Sequence, residues 1–302
     1  MRGPDFFIVG APKCGTTAMN EYLGRHPDIF MATKELHFFG SDLSILSKRS
    51  LNVTAYLGMF ADARADQRKG EASVWYLYSR RAATEIKAFR PDALIIIMLR
   101  NPIDMIYSQH SQFLYNGNED IKDFRAAIAA ESERKRGRRM PKTVRFREGL
   151  YYRDTARFTP QVERYFDVFG RDGVHIVIYD DFKRDAHETY RTTLRFLGVK
   201  DSVRCEFNVV NSNRYVRSLT VRDLLGRPPR VVRGAARSLL PQMARRWLRR
   251  SLTQSLTDVN VVHSTRPPMD LALRRQLQFE FASEVERLSK LLQRDLSHWT
   301  TY

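Results

Sequence analysis

The stretch Phe7-Ile8-Val9-Gly10-Ala11-Pro12-Lys13-Cys14-Gly15-Thr16-Thr17 runs from apolar residues through a short loop into a helical pattern. A strand that turns into a helix in this way brings free backbone N–H groups and the positive end of the helix to one point. Gly15 permits the tight turn, and Lys13 supplies a mobile ammonium group. The hydroxyls of Thr16 and Thr17 add further donors. The stretch predicts a phosphate-binding loop, although an ordinary strand-to-helix turn also uses glycine and threonine.

Short β-rich runs alternate with longer helical patterns along the rest of the chain. The run Ala93-Leu-Ile-Ile-Ile-Met-Leu99 is apolar on both faces, which is typical of a central parallel strand covered by helices. The alternation predicts a three-layer α/β fold, with a central parallel sheet flanked by helices and a C-terminal helical lid. We predict strands at residues 5–10, 93–99 and 173–179, and helices at residues 16–24, 101–115, 160–169, 180–197 and 267–294.

The first two of these strands are expected to lie side by side in the sheet. The last helix carries an apolar stripe that is expected to close the core, formed by Leu271, Leu277, Phe281, Val285, Leu288 and Leu292.

The phosphate loop differs from that of magnesium-dependent nucleotide enzymes. Their pattern ends in Gly-Lys-Ser/Thr, whereas Lys13 precedes Gly15 by two positions. The apolar strand ends in Leu99-Arg100, so a cation stands where an aspartate would hold the metal. These differences argue against a nucleotide-dependent kinase and predict a site for an anionic ligand without a metal.

The chain has 302 residues, 43% of them hydrophobic and 28% charged, which is the composition of a globular protein with a sizeable core. Its length fits one large α/β domain, and we predict a single domain over residues 1–302. Cys14 and Cys205 are too few and too far apart for a disulfide framework or a zinc site. Because the N-terminus leads into an apolar strand without a signal-peptide pattern, we expect a soluble, cytoplasmic protein.

The formal net charge of +17 is concentrated in two basic windows. Residues 131–148 carry eight Lys or Arg against three acidic residues, and residues 214–250 carry eleven Arg against one Asp. Such windows suit an anionic ligand or an acidic or membrane-associated acceptor, although a solvated charged face has the same composition. A non-enzymatic polyanion-binding protein would also explain them. That alternative leaves the phosphate loop unexplained, and we expect no nucleic-acid partner.

Two segments together resemble the sulfotransferases that use 3′-phosphoadenylyl sulfate (PAPS). Residues 12–17 resemble their 5′-phosphosulfate loop, and Leu99-Arg100-Asn101-Pro102-Ile-Asp104-Met-Ile-Tyr-Ser108 resembles their 3′-phosphate segment. Residues 70–78 and 294–299 continue the resemblance, which covers nearly the whole chain. It implies a P-loop-like fold and transfer of a sulfonate group from PAPS. The product is then 3′-phosphoadenosine 5′-phosphate (PAP), and no metal is needed.

The resemblance also implies roles for individual residues. Arg100 and Ser108 would clamp the 3′-phosphate, and ordinary adenylates would leave Arg100 without this partner. Arg266 lies where the glycan-type branch of the family has a basic loop over the nucleotide, although a simple turn before the last helix fits it equally well. The 5′-phosphate would be held by Lys13, Cys14, Gly15, Thr16 and Thr17, with Lys13 also steadying the charge of the leaving group.

The segment Thr33-Lys34-Glu35-Leu36-His37-Phe38-Phe39 resembles the Lys-Glu-x-His-Phe-Phe stretch of the glycan-type branch, in which the glutamate is the general base. The resemblance therefore implies that Glu35 accepts the proton of the acceptor hydroxyl. His37 is the alternative base, because the branch that acts on small molecules uses a histidine and imidazole titrates near neutral pH. His110 is a weaker candidate, and Lys34 and Glu35 could also be an ordinary surface pair.

The acceptor is a small molecule or a glycan in this interpretation. Residues 229–252 have the spacing of an amphipathic basic helix, interrupted at Pro241. We predict that residues 214–262 form a basic helical insertion or a lid over the acceptor cleft. Its basic face could remain solvated, grip an acidic glycan or lie on an anionic membrane.

Overall fold

The computed structural model describes residues 3–44, 51–202, 207, 214–216, 261–263 and 266–301. Its strands are β1 (Phe6–Gly10), β2 (Ile29–Met31), β3 (Arg68–Ala72), β4 (Leu94–Leu99), β5 (Val174–Ile178), β6 (Arg214–Val216) and β7 (Val261–His263). The first five form one sheet in the order β2-β3-β1-β4-β5, and each runs parallel to its neighbours. Strands β6 and β7 form a separate antiparallel pair.

The helices connect these strands in the order that the sequence predicts. They are α1 (Thr16–Gly24), α2 (Val53–Gly58), α3 (Ala82–Phe89), α4 (Pro102–Asn116), α5 (Phe124–Ala129), α6 (Glu131–Lys135), α7 (Tyr152–Thr155), α8 (Phe158–Phe169), α9 (Tyr179–Arg184), α10 (Ala186–Phe196) and α11 (Leu271–Leu292). The prediction of an α/β fold with a central parallel sheet flanked by helices is confirmed.

The core of the sheet is the pair β1 and β4. Phe6, Phe7 and Ile8 align with Leu94, Ile95 and Ile96, as expected for adjacent strands. The side chains of β1 are wholly buried, and so are those of β4 after its first residue. Burial of two such apolar strands on both faces fixes the end of β1, and with it the start of the loop that follows.

Strands β2 and β3 are not predicted from the sequence. Arg68-Lys-Gly-Glu-Ala72 is polar at its start and has a glycine at its centre, so it lacks the apolar signal of a buried strand. Gly70 is required there because a β-carbon would lie 2.3 Å from the ring of Phe6. The residue that weakens the signal thus allows β3 to pack beside β1.

Three predicted helix boundaries are corrected by the structure, two of them by capping residues. Asp185 accepts a hydrogen bond from the Glu188 N–H and begins a second helix, so the expected helix over 180–197 is two helices. Asp270 caps α11 through the Leu273 N–H, so this helix begins after the two prolines. Leu271 is 70% exposed and does not belong to the buried stripe. The helix expected at 160–169 begins two residues earlier.

The chain divides into two compact units. The first comprises Met1–Tyr107, Phe146–Asn211 and Met269–Tyr302, and it contains the parallel sheet. The second comprises Ser108–Arg145 and Ser212–Pro268, and it contains α5, α6 and the antiparallel pair. The single domain over 1–302 stays a prediction. The basic helix at 229–252, and all of the 214–262 segment except β6 and β7, lies outside the described residues.

The basic window at 131–148 is less of a charged surface than its composition suggests. Arg134 is fully buried, and its guanidinium donates to both carboxylate oxygens of Glu119, also fully buried, at 2.7 and 2.6 Å. Lys135 pairs with Glu131, and Arg136 pairs with Glu133. A buried, bidentate ion pair of this kind fixes the packing of the second unit.

Candidate active site

The phosphate loop lies between the last residue of β1 and the first residue of α1. The Ala11 N–H donates to the Met98 carbonyl over 2.7 Å, which anchors the start of the loop to β4. Gly15 is the N-cap of α1 and has a φ of 89°, the left-handed conformation that favours glycine. Among the described side chains, none caps this helix. The N–H groups of its first turn are therefore directed where an anion would bind.

Arg100 lies against this loop, as the sequence predicts. Its guanidinium is stacked over the ring of Tyr179, 4.7 Å from the ring centroid, and donates to the Lys13 carbonyl over 3.5 Å. The same ring lies beside the loop, since a β-carbon on Gly15 would be 3.1 Å from it. Tyr179 therefore packs on both the phosphate loop and the arginine, and it holds them together.

Sequence analysis did not single out Tyr179. It is the first residue after β5, a strand that lies beside β4, and the carboxyl ends of neighbouring parallel strands meet at one edge of the sheet. The position of Tyr179 directly after β5 could therefore have predicted that it lies at the same edge of the sheet as Arg100.

Cys14 can contribute only its backbone to the site. Its side chain is wholly buried, and the thiol donates to the Pro12 carbonyl over 3.4 Å. Burial raises the pKa of the Cys14 thiol to about 12, against a smaller opposing effect of Arg100. Because the thiol stays protonated and lies in the core, it cannot act as a nucleophile there.

Lys34 connects the two parts of the site. Its ammonium group donates to Thr16 Oγ1 over 3.0 Å and to Thr17 Oγ1 over 2.7 Å, at the start of α1. The same nitrogen lies 3.7 Å from Glu35 Oε1. The structure therefore brings the candidate base next to the phosphate loop through one side chain, whose role sequence analysis left unassigned.

Glu35 and His37 form a pair. The Nε2 atom of His37 lies 3.2 Å from Glu35 Oε2, and the same carboxylate oxygen accepts the Val74 N–H over 3.3 Å. Burial raises the pKa of Glu35, while the charge of Lys34 acts in the opposite direction. Burial also lowers the pKa of Lys34. A carboxylate with a raised pKa is better suited to take a proton near neutral pH.

Behind this pair is a buried carboxylate that sequence analysis did not assign. Glu71 on β3 is wholly buried and accepts hydrogen bonds from Tyr56 Oη, from Tyr76 Oη over 2.7 Å and from Ser73 Oγ over 2.8 Å. Burial raises the pKa of Glu71 to about 7, against the smaller opposing effect of these three donors. One of the donors to Glu71, Tyr56, is fifteen residues away in sequence. No local sequence pattern indicates that these two residues are in contact.

Ser108 and Arg266, which are predicted to contact the nucleotide, lie together in the second unit. The Nη2 atom of Arg266 donates to Ser108 Oγ over 2.9 Å, across 158 positions in the sequence. Arg266 is therefore not merely a residue of a surface turn.

His110, the weaker candidate base, is a packed residue of the second unit. Its Nε2 atom lies 2.8 Å from the Ile121 carbonyl, and its ring centroid is 5.1 Å from that of Phe124. Burial lowers the pKa of His110. These contacts give it a structural role.

The described part of the chain contains neither a metal-binding cluster nor a membrane-spanning helix. No group of three or more His, Cys, Asp or Glu residues in that part is arranged to hold a metal ion. No helix there has both the length and the hydrophobicity needed to cross a membrane.

The candidate site combines a phosphate loop after a central parallel strand with an arginine at the end of the neighbouring strand. One lysine connects the loop to a carboxylate. This combination is typical of a P-loop-like protein that transfers an anionic group. The chain belongs to the sulfotransferase family, because the family model described as "Sulfotransferase domain" matches residues 3–223. The resemblance stated from the sequence is thereby confirmed.

Individual relatives agree with this assignment. A sulfotransferase from Alicyclobacillus acidocaldarius has a solved structure that is 30% identical, with a TM-score of 0.73 and coverage of 100% of both chains. Human carbohydrate sulfotransferase 15 is 29% identical over 41% of this chain and 30% of its own length. Human heparan sulfate glucosamine 3-O-sulfotransferase 6 is 32% identical over 41% of this chain and 34% of its own length. The chain thus spans about a third of these two human proteins.

Proposed function

We propose that this protein transfers a sulfonate group from PAPS to a hydroxyl or amine of a saccharide-type acceptor. The observation that carries the proposal is the contact of Lys34 with Thr16 and Thr17 on one side and with Glu35 on the other. A phosphate group on the loop and a hydroxyl on Glu35 would then both lie beside the ammonium group of Lys34, and transfer between two groups requires that they be held close together.

The proposed reaction is a displacement at sulfur. The acceptor oxygen attacks the sulfur atom, and the bond between sulfur and the bridging oxygen breaks. The electron pair of that bond stays on the 5′-phosphate of PAP, while the acceptor proton passes to Glu35. Lys13, the start of α1 and the hydroxyls of Thr16 and Thr17 stabilise the charge that develops on the leaving phosphate.

We assign the role of general base to Glu35 and a supporting role to His37. Burial raises the pKa of Glu35, so the carboxylate gains basicity, and the charge of Lys34 acts in the opposite direction. The imidazole of His37, 3.2 Å from the carboxylate, can orient it by a hydrogen bond. The reverse assignment, with His37 as the base, is the alternative that mutagenesis decides.

The choice of PAPS over other adenylates is assigned to Arg100 and Ser108, and Arg266 is a further proposed contact to the nucleotide. Arg100 stacks on Tyr179 in the first unit, and Arg266 donates to Ser108 in the second. Assignment of Arg100 and Ser108 to the 3′-phosphate rests on the resemblance of residues 99–108, and that of Arg266 to the nucleotide rests on the resemblance to the basic loop of the glycan-type branch. A guanidinium suits this role, because it binds phosphate through two parallel hydrogen bonds.

The proposed acceptor is a glycan, and the names of the two human relatives support this class. An acidic glycan would also be attracted by the net charge of +17. The window at 131–148 contributes less to this attraction than its composition suggests, since Arg134 is buried. A membrane-associated acceptor remains a prediction from the window at 214–250.

The donor is tested by ligand-linked stability. PAP and adenosine 5′-phosphate differ only in the 3′-phosphate, so we expect PAP to raise the melting temperature far more. A ligand at a hundred times its Kd stabilises the folded state by about 2.7 kcal/mol. In the matched variants, Arg100→Gln should remove the difference between the two nucleotides, whereas Lys13→Ala should weaken both alike. Equal shifts with the two nucleotides in the wild type would contradict the assignment of PAPS.

The acceptor is tested with radiolabelled PAPS and a panel of heparan sulfate, a neutral oligosaccharide and a phenol. Transfer to a saccharide is the expected result. Transfer to the phenol alone would move the acceptor to the small-molecule class.

A further inference from the structure

The segment that carries Glu35 is held by side chains. The His37 N–H donates to Ser73 Oγ over 3.0 Å. The next two backbone N–H groups along the chain donate to Tyr76 Oη, over 2.7 and 3.2 Å. Three successive backbone N–H groups therefore donate hydrogen bonds to two hydroxyl oxygens.

Both of these hydroxyls donate their single hydrogen to Glu71. The distances to Glu71 Oε1 are 2.8 Å from Ser73 Oγ and 2.7 Å from Tyr76 Oη. A hydroxyl that has given away its hydrogen can offer only lone pairs to its other neighbours, which here are the backbone N–H groups. Glu71 Oε1 accepts from both hydroxyls, so their hydrogens are directed away from the backbone.

We infer that Ser73 and Tyr76 are positioning residues: because they give their hydrogens to Glu71, their oxygens are free to accept the backbone N–H groups of residues 37–39 and thereby orient Glu35. The inference rests on the proposed role of Glu35 as general base. Glu35 and His37 have φ angles of 64° and 49°, which side-chain-bearing residues adopt only where surrounding contacts hold them.

Tyr56 provides a matched control. Its hydroxyl donates to the other oxygen of Glu71, and both Tyr56 and Tyr76 are buried. Its oxygen accepts none of the three backbone N–H groups, and its ring is stacked on Phe38 at a centroid distance of 4.0 Å. Tyr56→Phe and Tyr76→Phe therefore remove the same group from Glu71 and keep the ring, but only Tyr76→Phe removes an acceptor from the segment.

The first experiment measures kcat and KM for PAPS, with heparan sulfate as the acceptor probe. We expect Tyr76→Phe to lower kcat about tenfold or more, because displacement of a catalytic group by a fraction of an ångström already slows transfer. The KM for PAPS should stay within about twofold, since the phosphate loop is unchanged. Tyr56→Phe should keep kcat within about threefold of the wild type. Equal losses in both variants, or no loss in Tyr76→Phe, would overturn the inference.

The second experiment measures amide hydrogen–deuterium exchange of residues 36–40, which does not depend on activity. Exchange should accelerate in Tyr76→Phe and remain at the wild-type rate in Tyr56→Phe. If Tyr76→Phe does not fold, Ser73→Ala takes its place, because it removes the acceptor of the His37 N–H. A wild type that transfers no sulfonate to any acceptor of the panel would refute the proposed function, while unchanged exchange in Tyr76→Phe, or in Ser73→Ala where that variant replaces it, would refute the positioning role.

Discussion

The free energy of unfolding should depend on pH through Glu71. The pKa of this carboxyl rises from 4.5 to about 7 in the folded protein, because burial disfavours its ionised form. The folded state thus binds this proton more tightly than the unfolded state, and its stability falls as the pH rises between the two values. The change amounts to about 3 kcal/mol over the whole range, and most of it falls between pH 5 and pH 8.

Glu71→Gln is neutral at every pH and lacks this contribution. From pH 5 to pH 8, the wild type should therefore lose about 2 to 3 kcal/mol more unfolding free energy than the variant, or about 4 °C in Tm for a chain of 302 residues. Urea unfolding followed by tryptophan fluorescence at pH 5, 6, 7 and 8 measures the difference. Groups that are not coupled to Glu71 titrate alike in both proteins, so subtraction removes their effect.

Asp181→Asn is a suitable control for this measurement. Hydrogen bonding from Arg294 holds the pKa of Asp181 below its usual value, so this carboxylate stays ionised from pH 5 to pH 8. The difference between wild type and Asp181→Asn should be constant across the range. A constant difference for Glu71→Gln as well would refute the reasoning about burial.

The remaining predictions concern turnover. Lys13→Ala should lower kcat about 10²- to 10³-fold and keep part of the affinity for PAP, as measured by calorimetry, because the backbone of the loop remains; a kcat near normal would make Lys13 a scaffold residue. Glu35→Gln should lower kcat about 10²-fold or more, and His37→Ala should lower it less; the reverse ranking in steady-state assays would make His37 the base and favour small phenols and alcohols as acceptors. Lys34→Met should move the acidic limb of the kcat–pH profile to higher pH, because the charge of Lys34 lowers the pKa of Glu35; an unshifted limb would mean that Glu35 does not control it.

The sequence was most informative where one short segment decides the structure. The apolar runs of β1 and β4 have no alternative to a buried parallel pair, and the loop between Gly10 and Thr16 follows from the end of β1. Arg100 could be placed beside that loop because it ends the adjacent strand. These are local signals, and together they define the anion site.

Features that depend on packing between distant segments were not predictable. Gly70 makes the sequence of β3 look less like a buried strand. The reason for a glycine there is apparent only in the structure, where the ring of Phe6 leaves no room for a side chain. Glu71 looks like an ordinary acidic residue until Tyr56 and Tyr76 are seen to donate to it. Arg134 belongs to a basic run in the sequence, yet it is buried opposite Glu119.

The contact between Gly15 and Tyr179 means that substitutions at these two positions constrain each other. A side chain at position 15 would require a smaller residue at position 179, since the ring of Tyr179 lies 3.1 Å from the site of a β-carbon. A smaller residue at 179 would in turn remove the surface on which Arg100 is stacked. Either substitution alone therefore harms the anion site, and the second substitution cannot fully repair it. Such sign epistasis confines the phosphate loop to glycine at this position for as long as the stacked arginine is retained.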